Sequence, residues 1–369
     1  MAGTAVGIAF LAAAGGRPFA GLFADGGHAR RTVASGGVLG ALGGLGHLWA
    51  PNFTVLLVSR LLMGAGEAAL FSGALPWVLA GAAPHRRGRV AGWFGLSMWS
   101  GLAAGPALAT VLNSWLGFTA VWDSVVALAL MSALLVLTTR DSPSTTPQPL
   151  RLPRTLRDVV PPGAPLPGIA LGLASYGYGT VAALLVLHLQ VNHIGGASVG
   201  LSVFALGFLL TRASGSPLVD RYGGARVAAC CVIVETIGLL ILALATALGL
   251  ALIGAAVAGA GVALMYPASV AITLHRTDAL RPGAAVGAMT SFWDLGVMIA
   301  GPVGGFIAAE FGYPLAFIVA VATAAGSFVL VNGPLRLSSS KTQKGAGSPE
   351  SDAGLVVSGS GSLSGGGWE

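Results

Sequence analysis

The sequence is poor in charged residues. Asp, Glu, Lys and Arg make up 9% of its 369 residues, whereas soluble domains carry about a quarter. So few charges cannot cover a surface that faces water. Hydrophobic residues account for 54% of the chain, and the mean hydropathy is +0.82. The composition therefore predicts a polytopic membrane protein and excludes an ordinary soluble domain.

Cysteine is nearly absent, and so are the signatures of several enzyme classes. Cys230 and Cys231 are adjacent in an apolar run, which gives neither the spacing of metal ligands nor a disulfide framework. The patterns GxxxxGK[ST], HExxH and CxxC do not occur. These absences argue against an ATP-driven pump and a membrane hydrolase of the HExxH type. We therefore expect no enzymatic activity, no metal and no cofactor.

What the chain does contain is a series of long apolar segments. A spanning helix needs about 20 mostly apolar residues, and the abundant glycines, 57 in all, favour close packing of such helices. An open sheet exposed to lipid would leave backbone groups unpaired. We therefore predict an all-α fold of eleven spans, at 3–24, 33–50, 53–82, 90–113, 118–139, 165–190, 197–219, 227–247, 249–274, 284–309 and 313–334.

The basic residues fall in every second connection between these spans. The connections with basic residues contain Arg30 and Arg31; Arg86, Arg87 and Arg89; Arg140, Arg151, Arg154 and Arg157; Arg221 and Arg226; Arg276 and Arg281; and Arg336, Lys341 and Lys344. The positive-inside rule places them in the cytoplasm, so the net charge of +6 reflects orientation rather than a nucleic-acid partner. A multi-pass protein of the cell membrane with a cytoplasmic C-terminus is predicted.

A segment rich in proline and charge divides the apolar spans into two blocks. We predict an N-terminal transmembrane bundle at 1–140, a cytoplasmic linker at 141–164 and a C-terminal bundle at 165–335. The tail at 336–369 is rich in Ser and Gly, which is typical of disorder.

The two blocks carry related landmarks at an offset of 195 residues. The stretch RPFAGLFADGGHARR begins at Arg17, and RASGSPLVDRYGGAR begins at Arg212. Gly105-Pro106 corresponds to Gly301-Pro302 with a slip of one residue. Two homologous halves with the same topology form a recurring transporter architecture.

The repeat leaves the span at 165–190 without a counterpart in the first half. The simplest interpretation is that one N-terminal helix is absent from this chain. An in-frame stop codon directly upstream of the first codon would instead favour a true eleven-span topology.

These residues resemble the major facilitator superfamily over about residues 1–335. The family's loop signature is Gly-x-x-x-Asp-Arg-x-Gly-x-[Arg/Lys], and both copies depart from it in part. SRLLMGAGEAA resembles the fourth-helix motif, and GLAAGPALA resembles the antiporter motif of the fifth helix. SFWDLG followed by GPVGG is similar to the proton-antiporting exporters of drugs and metabolites. The matching loop residues are Gly21, Asp25, Arg30 and Arg31 in the first copy, and Asp220, Arg221, Gly223 and Arg226 in the second.

The resemblance implies an arrangement of two pseudo-symmetric bundles, in which these loops hold the cytoplasmic ends together. A carboxylate at a helix terminus can pair with an Arg and accept backbone N–H bonds. The alternative is a static bridge that only fixes packing. Gly105, Pro106, Gly301 and Pro302 are expected to kink helices or pack them closely.

Ionisable residues within the spans are candidates for proton coupling, because each is costly in a bilayer. Burial favours the protonated form of a carboxyl group, which could then carry a proton between the two sides. Glu67 is the first candidate, since Arg60 lies seven residues away on the same helical face. Asp294 is the second. Arg17 is expected to reach the interface or pair locally, and a structural role remains open for each acid.

Aromatic residues near the predicted bends could line a cavity for a small organic molecule. Helix packing is the alternative for each of them. The candidates are Tyr176, Tyr178, Trp77, Trp99, Phe292 and Trp293.

The sequence thus favours a monomeric, proton-coupled exporter of a small organic molecule that works by alternating access in the lipid bilayer. Two alternatives stay open: an importing symporter or uniporter, and a membrane sensor or partner protein that does not transport. Neither the substrate nor the direction of transport can be read from the sequence.

Overall fold

The structure is a computed structural model that describes residues 2–82, 87–139, 155–196, 199–277 and 281–335. No strand occurs among these residues, so the predicted all-α fold is confirmed. The helices are α1 Ala2–Phe23, α2 Ala29–Leu48, α3 Phe53–Ala80, α4 Arg87–Leu116, α5 Phe118–Thr138, α6 Leu156–Val159, α7 Pro165–Val191, α8 Gly200–Tyr222, α9 Gly224–Ala243, α10 Leu248–Val262, α11 Met265–His275, α12 Pro282–Phe311 and α13 Tyr313–Leu330.

Within the described ranges, eight stretches are long and apolar enough to cross a membrane. The first of them, Gly7–Leu48, is 42 residues long and contains both α1 and α2. The chain breaks between these helices at Ala24–His28, where Gly27 has a φ of 82°. That backbone conformation costs glycine little and other residues more, so Gly27 permits the sharp turn.

Contacts with α3 show that α1 and α2 run in opposite directions. A Cβ atom built at Gly16 would lie 3.0 Å from the Ala68 side chain, and one built at Gly64 would lie 2.0 Å from the Ala9 carbonyl oxygen. The order of these contacts makes α1 parallel to α3. Gly43 of α2 packs near Met63 and Gly36 packs near Leu70, which makes α2 antiparallel to α3.

The tightest junction between the two halves is formed by α1 and α12, which pack antiparallel; we call it the α1–α12 seam. A Cβ atom at Gly21 would lie 2.1 Å from the Gly283 carbonyl oxygen, and one at Gly287 would lie 2.4 Å from the Arg17 carbonyl oxygen. Farther along the seam, the Ser291 hydroxyl donates to the Ala14 carbonyl oxygen at 2.6 Å. Small residues therefore let the two backbones approach closely.

On its other side, α12 packs parallel to α7. A Cβ atom at Gly168 would lie 2.4 Å from the Phe292 side chain, and one at Gly296 would lie 2.2 Å from the Gly172 carbonyl oxygen, so the contacts advance together along both helices. The offset relates Gly296 to Gly101 of α4, where a Cβ atom would meet nothing within 4 Å. Among the residues described, Gly101 of α4 thus has no close helical neighbour, whereas the corresponding Gly296 packs against α7.

The predicted span at 249–274 corresponds to the apolar stretch Leu248–His275, which consists of two consecutive helices. The division falls at Ala263 and Leu264, between α10 and α11. Arg212 Nη1 of α8 donates to the Ala263 carbonyl oxygen at 3.3 Å. A carbonyl at a helix end needs a partner, and a cation there is favourable, so this contact stabilises the break.

Part of the predicted linker is ordered against α12. The Asp158 side chain accepts a hydrogen bond from the Thr155 backbone N–H at 2.9 Å and caps the short helix α6. Arg281 Nη1 donates to Asp158 Oδ1, which ties this helix to the residue before α12. The predicted linker residues 141–154 and the tail at 336–369 lie outside the described residues.

Candidate functional site

A buried ion-pair network crosses the α1–α12 seam. Arg17 Nη2 lies 3.0 Å from Asp294 Oδ1 and 3.0 Å from Glu67 Oε1, and Arg17 Nε also donates to Asp294 Oδ2. Arg17 and Asp294 are 2% and 1% exposed, whereas Glu67 is 55% exposed. One guanidinium therefore joins an acid on α3, in the first half, to an acid on α12, in the second half.

The close packing of the glycine-rich helices positions these three side chains. Gly287 packs against the Arg17 backbone. Asp294 lies two turns farther along α12, which places its carboxyl group beside the Arg17 guanidinium. The contacts of Gly16 and Gly64 bring α3 against α1 and place Glu67 on the same side. The Arg17 guanidinium also stacks over Phe71, one turn beyond Glu67, with Cζ 4.5 Å from the ring centroid.

The network forms part of the wall of a cavity of about 720 Å³. That volume suits a small organic molecule. Tyr178 and Trp293 are neighbours in the wall, with ring centroids 5.3 Å apart, and Phe71 meets Tyr266 edge to face at 5.5 Å. The aromatic residues of the wall are Phe10, Phe71, Phe94, Tyr178, Tyr266 and Trp293.

Two of the six aromatic residues predicted for the cavity, Tyr178 and Trp293, lie in its wall. Tyr176 is 6% exposed in the core of the second half, and Phe292 packs against Gly168 and Gly172 of α7. Trp77 is half-buried outside the described wall. The side chain of Trp99 lies outside the described part of the chain.

The structure corrects the predicted role of Arg17. It pairs neither locally nor at the interface, because its partners Glu67 and Asp294 lie 50 and 277 residues away in sequence. Arg60 is half-buried, with Cζ 6.0 Å from the ring centroid of Trp122, and does not belong to the cavity wall. The base that Glu67 contacts is thus Arg17.

Phe71 and Tyr266 are cavity residues that the sequence interpretation missed. The repeat offset of 195 residues relates one to the other, as it relates Arg17 to Arg212. An aromatic residue within an apolar run carries little signal by itself, but this correspondence could have identified both.

Asp25 caps the N-terminus of α12. Its Oδ1 accepts the Gly283 backbone N–H and its Oδ2 accepts the Ala284 backbone N–H, both at 2.8 Å. The first N–H groups of a helix lack partners within the helix, and a negative charge there is favourable. Asp25 thus joins the turn after α1 to the start of α12.

We expect Asp25→Asn to lower the free energy of unfolding by about 1 kcal/mol, because the amide retains only one acceptor oxygen and no charge. Thermal unfolding in detergent micelles measures the loss. Asp220→Asn is the matched control, since Asp220 is exposed at the corresponding position of the second half, and we expect a change below about 0.5 kcal/mol. Equal losses in the two variants would contradict the assigned cap.

The other predicted loop residues have varied surroundings. Arg30 Nε donates to the Val136 carbonyl oxygen at 3.1 Å, near the end of α5, and Arg31 is exposed. Arg221 lies with Cζ 5.3 Å from the ring of Tyr222. The remaining two, Asp220 and Arg226, are exposed.

The predicted kink residues lie inside long helices. Cβ atoms at Gly105 and Gly301 would meet nothing within 4 Å, so neither glycine is a close packing point among the described atoms. Pro302 lies inside α12 and is exposed, and a proline there removes one backbone hydrogen bond. The side chain of Pro106 lies outside the described part.

No group of three or more His, Cys, Asp or Glu side chains that could hold a metal ion occurs in the described ranges. The charged and hydroxyl-bearing side chains of the described cavity wall supply one guanidinium, two carboxyl groups and five hydroxyl groups, those of Ser97, Ser132, Tyr178, Tyr266 and Thr290. This set can bind an organic solute and exchange protons.

Comparisons with known proteins agree with this architecture. The family model described as Major Facilitator Superfamily matches residues 1–166 and 167–364. An uncharacterized MFS-type transporter of Burkholderia pseudomallei is 33% identical over 354 residues, covering 92% of this chain and 85% of the relative. The MFS-type transporter YhhS of Escherichia coli is 30% identical over 337 residues, covering 89% of this chain and 82% of YhhS.

Solved structures show the same fold at low sequence identity. The Escherichia coli fucose:proton symporter FucP has a TM-score of 0.71 at 17% identity, covering 89% of this chain and 90% of FucP. The human organic anion transporter MFSD10 has a TM-score of 0.75 at 13% identity, covering 89% of this chain and 82% of MFSD10. Family match, relatives and fold agree, and this chain belongs to the Major Facilitator Superfamily of transporters.

Proposed function

We propose that this protein exports a small organic molecule in exchange for protons by alternating access. The observation that carries the proposal is the position of Arg17, which joins Glu67 of one half to Asp294 of the other in a cavity wall. Loss of the charge of Asp294 would remove the ion pair that holds the two halves together at the place where a solute would bind.

The two acids supply the proton-coupling step: Glu67, which is 55% exposed, exchanges protons with the cavity, and the buried Asp294 receives them. When a proton adds to Asp294, the O–H bond removes the negative charge that holds Arg17 Nε and Nη2. Arg17 is then attracted to Glu67 alone, on its own side of the seam. The halves can separate, and loss of the same proton to the opposite compartment restores the pair. The coupling thus follows from electrostatics in a low-dielectric site.

Asp25 supplies the gating step in this proposal. By the positive-inside rule, the turn after α1 lies on the cytoplasmic side. The bonds from Asp25 to the start of α12 then close the cavity toward the cytoplasm, and breaking them opens the inward path. We propose that the protein acts as a monomer in the cytoplasmic membrane, with its C-terminus inside.

Two alternatives remain for the experiment to decide. An importing symporter would use the same network with substrate and proton moving together, and the solved fucose:proton symporter has this fold. A membrane sensor that does not transport would keep the network as a fixed bridge.

Everted membrane vesicles test the proposal. A pH gradient, acidic inside, is imposed on vesicles that contain the chain, and labelled organic cations, organic anions and sugars are added in turn. We expect at least one solute to enter the vesicles and to release protons into the medium. Uptake into right-side-out vesicles with proton entry would indicate a symporter, and the absence of flux in both preparations would indicate a non-transporting protein.

Glu67→Gln is expected to lower solute-induced proton release at least about tenfold, because the amide cannot exchange a proton. Asp123→Asn is the control, since Asp123 is exposed on α5 outside the cavity wall. It should release protons at the wild-type rate. Full proton exchange by the Glu67→Gln protein would remove Glu67 from the mechanism.

A further inference from the structure

We infer that Glu235 is a proton-binding site in the core of the second half, outside the cavity, and that its bound proton stabilises the close packing of α7 and α10 against α9. The inference goes beyond the proposed function, which assigns proton exchange to the two acids of the cavity wall. It follows from the position of one carboxyl group and from its surroundings in the described part of the chain.

Glu235 is enclosed between three helices. It lies on α9 and is 1% exposed. A Cβ atom at Gly177 of α7 would lie 2.5 Å from Glu235 Oε1, so the carboxyl group packs directly against α7. A Cβ atom at Gly261 of α10 would lie 2.2 Å from the Glu235 backbone nitrogen. Glycine residues on both neighbouring helices therefore provide the space that this side chain occupies.

Neither carboxyl oxygen of Glu235 has a hydrogen-bond partner among the described residues. The helices α10 and α13, which pack against α9, contain no charged residue. The titratable residues of α7 and α11 are tyrosines and histidines, and none of them bonds to Glu235. The walls of the site thus offer no charge-bearing partner from these four helices.

The charged residues of α8 and of α9 itself do not contact Glu235 either. Arg212 of α8 donates to a backbone carbonyl oxygen at the break between α10 and α11. Asp220, Arg221 and Arg226 are exposed near the helix ends. The thiol of Cys231 lies one turn before Glu235 on α9. Within the described ranges, no ion pair with Glu235 is formed.

These surroundings require the neutral form of Glu235. An ionised carboxyl group that is buried without a partner costs far more free energy than a protonated one, because the interior cannot replace its hydration. A proton adds no appreciable volume, so it is a ligand that an enclosed site of this kind can hold. Glu235 therefore carries an O–H bond in this conformation.

The repeat indicates that helix packing alone does not need an acid at this place. The offset of 195 residues relates Glu235 to Gly40 of α2, and Gly261 to Gly66 of α3. A Cβ atom at Gly66 would lie 2.8 Å from the Gly40 backbone nitrogen, which corresponds to the contact between Gly261 and Glu235. Because a glycine suffices for this close approach in the first half, the carboxyl group of Glu235 serves a purpose other than packing.

The helix α7 separates this site from the cavity. Gly177 faces Glu235, whereas the next residue, Tyr178, lies in the cavity wall beside Trp293. Water reaches the carboxyl group only if α7 or α10 moves away from α9, and ionisation needs that water. Release transfers the O–H proton to water and leaves a carboxylate. Proton binding and close helix packing therefore favour each other by linkage.

Infrared spectroscopy of the purified chain in detergent tests the protonation. The difference spectrum between wild type and Glu235→Gln isolates the C=O stretch of this side chain, which differs between a carboxylic acid and a carboxylate. We expect the acid band at about pH 6 and, within about twofold, at about pH 8, whereas a carboxyl group in water is almost fully ionised at both. Glu310→Gln is the matched control, because Glu310 is exposed and should give carboxylate bands only.

Carboxylate bands from Glu235 at both pH values would overturn the inference. Unfolding profiles verify that Glu235→Gln is folded, and glutamine is close in shape to the protonated acid. If that variant does not fold, a Glu67→Gln chain with isotope-labelled glutamate replaces it. Absence of any protonated glutamate band from this chain at about pH 6 would equally overturn the inference.

Gly261→Ala tests the link between the proton and helix packing. Its Cβ atom would meet the Glu235 backbone, so α10 must move away from α9 and admit water. We expect the carboxyl proton to exchange for deuterium at least about tenfold faster than in wild type, as read from the same infrared band. Gly249→Ala, on the same helix, should exchange at the wild-type rate, because its Cβ atom would meet nothing within 4 Å. Equal rates in wild type and Gly261→Ala would overturn the linkage.

These measurements need no transport, so their outcome is separate from that of the proposed function. A protonated Glu235 in a chain without flux would support this inference and contradict the proposed function. Proton-coupled flux in a chain whose Glu235 is a carboxylate would overturn this inference and leave the proposed function intact.

Discussion

Replacing Arg17 with methionine is expected to lower the free energy of unfolding by about 3–5 kcal/mol and to abolish transport. Asp294 is 1% exposed and makes both of its contacts in the network to Arg17. Without the guanidinium, its carboxylate would be buried and uncompensated, which costs far more than the loss of a surface pair. Chemical unfolding in micelles measures the loss of stability, and vesicle flux measures transport.

Two companion variants identify the cause. Arg17→Met combined with Asp294→Leu removes both charges, so we expect most of the stability to return while transport stays absent. Arg60→Met removes a base that is half-buried beside Trp122, and we expect it to cost about 1 kcal/mol or less. Wild-type stability of the Arg17→Met protein would mean that the ion pair does not form.

Replacing Gly21 with alanine is expected to hold the α1–α12 seam open and to lower transport roughly tenfold. The new Cβ atom would lie 2.1 Å from the Gly283 carbonyl oxygen, whereas ordinary contacts begin at 3.4 Å. Both neighbours are backbone, so no side chain can move aside and the helices must separate. A shift of the conformational equilibrium by 1.4 kcal/mol corresponds to the tenfold effect.

Spin labels at positions 31 and 281 measure this opening by pulsed electron resonance, in a chain whose Cys230 and Cys231 are replaced by alanine. Both labelled positions are exposed and lie on opposite sides of the seam. Gly105→Ala is the matched control, because its Cβ atom would meet nothing within 4 Å; it should keep the wild-type distances and flux within about twofold. Wild-type distances in the Gly21→Ala protein would contradict a closed seam at Gly21.

Much of the fold could be predicted because the signals are local. The length of each apolar segment indicates a helix, and the basic residues fall in every second connection between the helices. Glu67 and Asp294 could be selected because a carboxyl group within an apolar segment is rare and costly. Each of these inferences uses only the position of a residue along its own segment.

The partners of these residues could not be predicted in the same way. The helices are apolar on all sides, so the sequence does not show which face of α1 meets α12 or α3. The sequence therefore indicated how deep Arg17 lies within its span, but not that it contacts Asp294. For the same reason, it could not distinguish Trp77, Tyr176 and Phe292 from the aromatic residues that line the cavity. These assignments depend on helix rotation, which the close glycine contacts set.

The glycine contacts of the seam also bear on how fast the protein can change shape. Where Gly21, Gly283 and Gly287 meet the opposing helix, backbone lies against backbone, so no interlocked side chain would have to leave its rotamer well if the helices moved past each other. In the proposed rocking motion, the activation barrier would then reside in the polar attachments at Arg17, Asp25 and Ser291, so the rate of turnover at a fixed temperature should be set by electrostatics and hydrogen bonding rather than by friction within the packed interface.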